Sequence, residues 1–139
     1  MIFKSFVLIE KEGRYLLIRE AAAKWKGKWF LPGGKVEPGE KPEDAAHREA
    51  KEEAGCKIAI DGIFYFRYNE GFLDRYLAFF FAATIIGDEI KNFADKHSLE
   101  TKWFTYEEIM GLPLRQRLLE ILDSYKKTEV IPVNNFRVM

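Results

Sequence analysis

The stretch Gly34–Cys56, GKVEPGEKPEDAAHREAKEEAGC, decides how this chain is read. It fits G-x5-E-x7-R-E-U-x-E-E-x-G-U, where U is aliphatic, with Gly34, Glu40, Arg48, Glu49, Glu52, Glu53 and Gly55 all in register. Pro42 suits a first helical position, Glu43 and Asp44 complement a positive helix start, and Gly55 stands where a helix stops. The spacing therefore predicts a helix from about Pro42 to Ala54, although Lys41 at the N-cap has no acceptor to offer the first turn. On that helix Glu49, Glu52 and Glu53 are related by steps of three and four and share one face. Like charges so spaced repel, which points to a compensating cation. An ion that prefers oxygen ligands, keeps waters and completes its shell with substrate phosphates, as Mg²⁺ does, suits the three carboxylates. Three glutamates alone would be explained as well by a solvated helix face, with Glu52 balanced by Arg48 and Lys51. The full register is what favours chemistry.

Outward from this stretch the chain is β-rich. Ile2 to Ile9 and Arg14 to Arg19 flank the turn Lys11-Glu12-Gly13 and read as a hairpin. A basic loop, Lys24 to Lys28, leads to a short strand at Trp29-Phe30-Leu31 and a sharp turn at Pro32-Gly33-Gly34. Beyond the helix, Lys57 to Tyr68 and Leu73 to Ile86 read as a second hairpin around Asn69-Glu70-Gly71. In the later strand Leu77, Phe79, Phe81 and Ile85 line one face and Ala78, Phe80, Ala82 and Ile86 the other, so it should be covered on both sides. The acidic segment Gly87 to Ser98 reads as a loop. A short strand at Glu100 to Thr105, a turn of helix at Tyr106 to Met110 and a final helix follow, the last with Leu114, Leu118, Ile121, Leu122 and Tyr125 as its apolar stripe. Residues 130–139 are compatible with an edge strand, an oligomer arm or a tail.

Composition narrows the function. With 139 residues and 47% hydrophobic content, one domain spanning 1–139 with a single core is expected. The 22 basic and 22 acidic residues cancel, which disfavours a nucleic-acid polymer or an anionic membrane as partner. No apolar run approaches the roughly 20 residues that span a bilayer. The single cysteine, Cys56, reads as a small core residue, and a cytoplasmic, reducing setting is expected.

The register Gly34–Cys56 resembles the Nudix box, with Ala50 and Cys56 at its aliphatic positions as mild departures. Trp25-Lys26-Gly27-Lys28-Trp29, Trp103-Phe104 and Leu112-Pro113-Leu114-Arg115 are similar to the MutT-like branch, which hydrolyses oxidised guanine nucleotides. The resemblance implies an α/β fold, an α/β/α sandwich with a mixed central sheet, and hydrolysis of a pyrophosphate bond by a metal-activated water. It implies Mg²⁺, with Mn²⁺ as the substitute, held by Glu49, Glu52, Glu53 and the Gly33 carbonyl. Arg48 and Glu40 would form an ion pair orienting those glutamates, and Glu53 and Glu52 are the in-box candidates for proton acceptor. Glu89, Asp95 and Glu100 are candidates outside the box. His47 and His97 read as a helix-surface and a loop residue. Gly34, Trp25, Phe30 and Trp103 are the candidate substrate-binding residues, the aromatics as a platform for a purine. The partner implied is a small nucleotide, and a homodimer is compatible. ADP-ribose or dinucleoside polyphosphate hydrolysis remains open, although Glu70-Gly71-Phe72 stands where ADP-ribose enzymes of the family carry a proline. A non-catalytic nucleotide-binding regulator is the third reading.

Overall fold

The computed structural model of the chain describes residues 1–72, 75–127 and 131–132. Among them lie seven strands: β1 (Ile2–Lys11), β2 (Arg14–Glu20), β3 (Trp29–Phe30), β4 (Gly33–Lys35), β5 (Lys57–Glu70), β6 (Arg75–Ile86) and β7 (Ser98–Phe104). The helices are α1 (Pro42–Ala54), α2 (Tyr106–Met110) and α3 (Leu118–Lys127). The strands run in the order β3-β2-β1-β6-β5, with β4 added to β1 and β7 to β2. β1 is the seam of this arrangement. Its residues Lys4 to Phe6 pair antiparallel with β4, its residues Ile2 to Ile9 pair parallel with β6, and Glu10 and Lys11 pair with β2.

Alternation along the central strands sends side chains to two cores. Val7, Ile9, Leu16, Ile18, Phe79 and Phe81 face α1, which meets them with Ala46, Ala50 and Ala54. Phe6, Leu8, Leu17 and Phe80 face the other way, against Leu118, Ile121 and Leu122 of α3. Burying an aromatic or branched side chain of this kind stabilises by about 2 kcal/mol, so two apolar faces fix β1 and β6 between the helices. The result is the expected α/β/α sandwich with a mixed sheet. The small side chains of α1 also let it lie close to the sheet, and Ser5 Oγ donates to the Pro42 carbonyl at 2.7 Å to fix its first turn.

Four details differ from the sequence expectation. Gly33 and Gly34 do more than turn the chain: they form β4, paired with Phe6 and Ser5. The final helix begins at Leu118, because Leu114 bridges to Trp29 and the Arg115 N–H donates to the Trp29 carbonyl at 3.2 Å. With their backbone groups engaged by β3, residues 114 and 115 cannot join a helix. β5 extends through Asn69 and Glu70, which pair with Tyr76 and Arg75, so the strand runs past the expected start of the turn; the expected strand start at Leu73 lies outside the described residues. Ile86 ends β6 beyond the helical cover and is exposed. Of the last ten residues only Ile131 and Pro132 are described; Ile131 exchanges two backbone hydrogen bonds with Ile63 on β5.

Candidate active site

The site begins with space that only glycine leaves. A Cβ on Gly33 would lie 2.3 Å from the Phe6 ring and 2.4 Å from the Ser5 carbonyl oxygen, and one on Gly34 would lie 2.7 Å from Glu49 Oε1. Without those atoms β4 sits against both β1 and α1. The Gly33 N–H then donates to Glu53 Oε1 at 2.7 Å. Backbone and carboxylate are thereby locked together across twenty residues of sequence.

Arg48 organises the opposite flank. Its Nε and Nη2 donate to the two oxygens of Glu40 at 2.9 and 3.0 Å, and Nη2 also donates to the Lys35 carbonyl. Its Nη1 reaches Glu49 Oε1 at 2.9 Å and Glu52 Oε2 at 3.3 Å. A two-point guanidinium–carboxylate pair fixes direction as well as distance. It holds the Glu40 carboxyl below its usual range, chiefly through the Arg48 hydrogen bond. The guanidinium in turn is held above its ordinary value, with the Glu40 hydrogen bond as the largest cause.

Glu49 is buried, and Glu53 keeps part of its surface while its carboxyl end is enclosed between Gly33 and Glu49. Desolvation raises both carboxyls, Glu53 strongly, and the neighbouring Glu49 and Glu20 charges push Glu53 further. Such a group favours a proton or a cation. Glu52 lies on the outer flank, where His97 Nδ1 is 3.7 Å from its Oε2. A cleft of about 410 Å³ opens there between the end of α1 and residues 89–97, lined by Lys51, Glu52, Glu89, Phe93, Asp95 and His97. Among the described residues no three His, Cys, Asp or Glu side chains form a closed metal cage. Glu49 and Glu52 turn to Arg48, and Glu53 turns to Gly33. The donor set of carboxylate oxygens nevertheless fits a hard divalent ion, which prefers oxygen ligands and draws part of its shell from water and phosphate.

The remaining candidates separate. Phe30 is 2% exposed, with its ring 5.1 Å from Phe6 edge-on and the Arg115 guanidinium 4.4 Å from its centroid, so it is core and offers no open platform. Trp25 is half-buried, with Arg115 4.6 Å from its ring. Trp103 is half-buried against the α1-side core. Asp95 accepts from Lys91 Nζ and from the His97 and Ser98 N–H groups, which hold its carboxyl down to about 2. It is a structural acceptor and a poor base. Glu100 pairs with Arg19 at 3.3 Å. Glu89 is exposed, as is His47, and Cys56 is buried with its thiol pushed up to about 11 by desolvation.

Three residues escaped the sequence reading. Glu20 pairs with Arg115 at 3.4 Å, and both charges reach Glu53. Strict alternation would put Glu20 beside Leu16 and Ile18, but the pairing of β2 with β7 shifts register between Arg19 and Glu20. The third is Lys91, buried beside the end of α1. A charged residue closing an apolar strand was the available signal for Glu20; the loop composition gave none for Lys91.

The family model for the NUDIX domain matches residues 5–125, and the chain belongs to the Nudix family. A human protein named 8-oxo-dGDP phosphatase NUDT18 is 31% identical over 127 residues, 87% of this chain and 38% of that protein. The chain thus spans well under half of that relative's length. Among solved structures, a NUDIX hydrolase from Nitrosomonas europaea superposes with a TM-score of 0.85 at 22% identity, covering 99% of this chain and 97% of that one. A MutT protein from Methanosarcina mazei Go1 gives 0.75 at 28% identity, covering 91% and 93%. No helix among the described residues is long and apolar enough to cross a membrane.

Proposed function

We propose that this chain hydrolyses a pyrophosphate bond in a nucleoside diphosphate derivative, a nucleoside di- or triphosphate with a canonical or oxidised guanine base. The observation that carries the reading is the Glu53 carboxyl, held by the Gly33 N–H beside buried Glu49 in a Nudix chain whose Arg48 is clamped to Glu40. Glu49, Glu52, Glu53 and the Gly33 carbonyl are the residues assigned to a divalent ion, Mg²⁺ or Mn²⁺. When bound, that ion supplies charge neutralisation on the phosphate oxygens and lowers the pKa of the attacking water.

The chain's own groups do the rest. Glu53 Oε1 accepts from the Gly33 N–H, which fixes the direction of the carboxyl and makes Glu53 the first candidate to accept the water proton. Glu52 is the alternative acceptor, with His97 beside it. Arg48 and Glu40 keep Glu49 and Glu52 in place. Gly34, without a Cβ, lets the Glu49 carboxylate close against β4, and Trp25 and Trp103 are the half-buried aromatics left to flank a base. The similarity to the human 8-oxo-dGDP phosphatase and to a MutT protein supports guanine nucleotides as the first class to test.

The test is a panel of dGTP, 8-oxo-dGTP, 8-oxo-dGDP, a dinucleoside tetraphosphate and ADP-ribose, assayed with Mg²⁺ and with chelator, with product analysis. Metal-dependent release of a nucleoside monophosphate from the guanine nucleotides is expected. Tight nucleotide binding without turnover would instead identify a regulator.

A further inference from the structure

We propose that Lys91 is a positioning residue for Glu52 and Glu53, an inference that rests on the hydrolase reading above. The last turn of α1 must satisfy carbonyls that have no partner inside the helix. Gly55 takes the left-handed conformation at φ 65°, and its N–H donates to the Lys51 carbonyl. The carbonyls of Glu52, Glu53 and Ala54 are satisfied from outside the helix. Lys91 Nζ donates to the Glu52 carbonyl at 3.3 Å, and the Lys91 N–H donates to the Ala54 carbonyl at 2.8 Å. Ser98 Oγ and Thr101 Oγ1 donate to the Glu53 carbonyl at 2.7 and 3.0 Å.

Lys91 is the hub of this set. An ammonium has three donors, and here they meet the Glu52 carbonyl, Asp95 Oδ1 and Ser98 Oγ. Through Ser98 it reaches the Glu53 carbonyl as well. Its side chain is 3% exposed, and its backbone packs so closely that a Cβ on Gly55 would lie 2.7 Å from the Lys91 nitrogen. A cation at a helix C-terminus is also favoured by the helix dipole. Asp95, gathered by the same ammonium, accepts from the His97 N–H and so sets the residue that faces Glu52. One buried lysine thus fixes the backbone of two site glutamates and the loop beside them.

The test is Lys91→Met, of similar length and without donors, followed by kinetics at 20 °C and by the Gly33 amide in nitrogen–proton NMR. The Gly33 amide reports where the Glu53 carboxyl sits, independently of metal or turnover. Expected are a fall in kcat of about tenfold, a nucleotide KM changed less than twofold, and at least tenfold faster Gly33 exchange with the Val7 and Ile9 amides unchanged. A lowered melting temperature with normal kcat and normal Gly33 exchange would overturn the proposal, leaving Lys91 as a loop staple. Ser98→Ala provides a milder second arm, should the methionine variant not fold. It should lower kcat two- to threefold and speed Gly33 exchange, and no change in either would also overturn the idea. If the wild type turns over no nucleotide, the hydrolase reading fails, while the Gly33 measurement still scores the positioning claim.

Discussion

At its first turn α1 is tied to the sheet by one side-chain hydrogen bond, Ser5 Oγ to the Pro42 carbonyl, and Lys41 supplies no cap. At its last turn the Lys51 to Ala54 carbonyls are all engaged, by Gly55, Lys91, Ser98 and Thr101. The contrast follows the chemistry. Glu49, Glu52 and Glu53 occupy the second half of the helix, so the anchoring hydrogen bonds from outside α1 gather at the end that carries the carboxylates proposed for the site. Changes at the far end should therefore register in activity, and changes at the near end in stability alone.

The sharpest test is Glu53→Gln, which keeps the shape and the Gly33 hydrogen bond but removes the base. A kcat loss of about 10³ is expected, read in a steady-state assay of the best substrate. Next is Arg48→Lys, which cannot reproduce the two-point contact with Glu40 while holding Glu49. Its kcat should fall by about 10- to 100-fold, with far-ultraviolet circular dichroism unchanged.

The same end of the helix carries a cost visible without substrate. Glu53 has a folded pKa above its unfolded value, so the folded state binds more protons as pH falls toward about 4.5, and stability drops as pH rises through the folded pKa. In chelator, the melting temperature of the wild type should fall across that window above 4.5, and Glu53→Gln should flatten the trend. Near neutral pH the variant should melt about 3 °C higher, as calorimetry can check.

Smaller effects belong to the first turn. Ser5→Ala removes the side-chain donor that ties the Pro42 carbonyl to β1 and should cost about 1 kcal/mol in denaturant unfolding, with kcat unaltered at temperatures below melting. Lys41→Asp adds the missing cap and should gain about 0.5 kcal/mol, again without kinetic change. A kinetic response to either substitution would break the proposed division between the two ends.

What could be read in advance was local. The bounds of α1 follow from Pro42 and Gly55, and the two-faced burial of β6 follows from its alternation of Phe79 and Phe81 against Phe80. The register of Glu40, Arg48, Glu49, Glu52 and Glu53 marks the candidate site in the sequence alone. The rest depended on long-range geometry. β4 is three residues and mostly glycine, so no propensity marks it as a strand. Glu20 turns toward Arg115 at a register shift that alternation cannot foresee, and Arg115 is placed by the stitching of residues 113–115 to Trp29. Lys91 looked like any other charge in an acidic loop. Its significance lies in the helix end it meets, at a separation no pattern spans.

The seam strand β1 has a consequence for synthesis. Its Phe6, Val7, Leu8 and Ile9 leave the ribosome well before β6 and are apolar on both faces, yet β6, the neighbour running alongside them, ends at Ile86. Until that distant segment emerges, a sticky ribbon waits without its partner, so nascent chains ending before residue 75 should stay protease-sensitive and recruit holding chaperones.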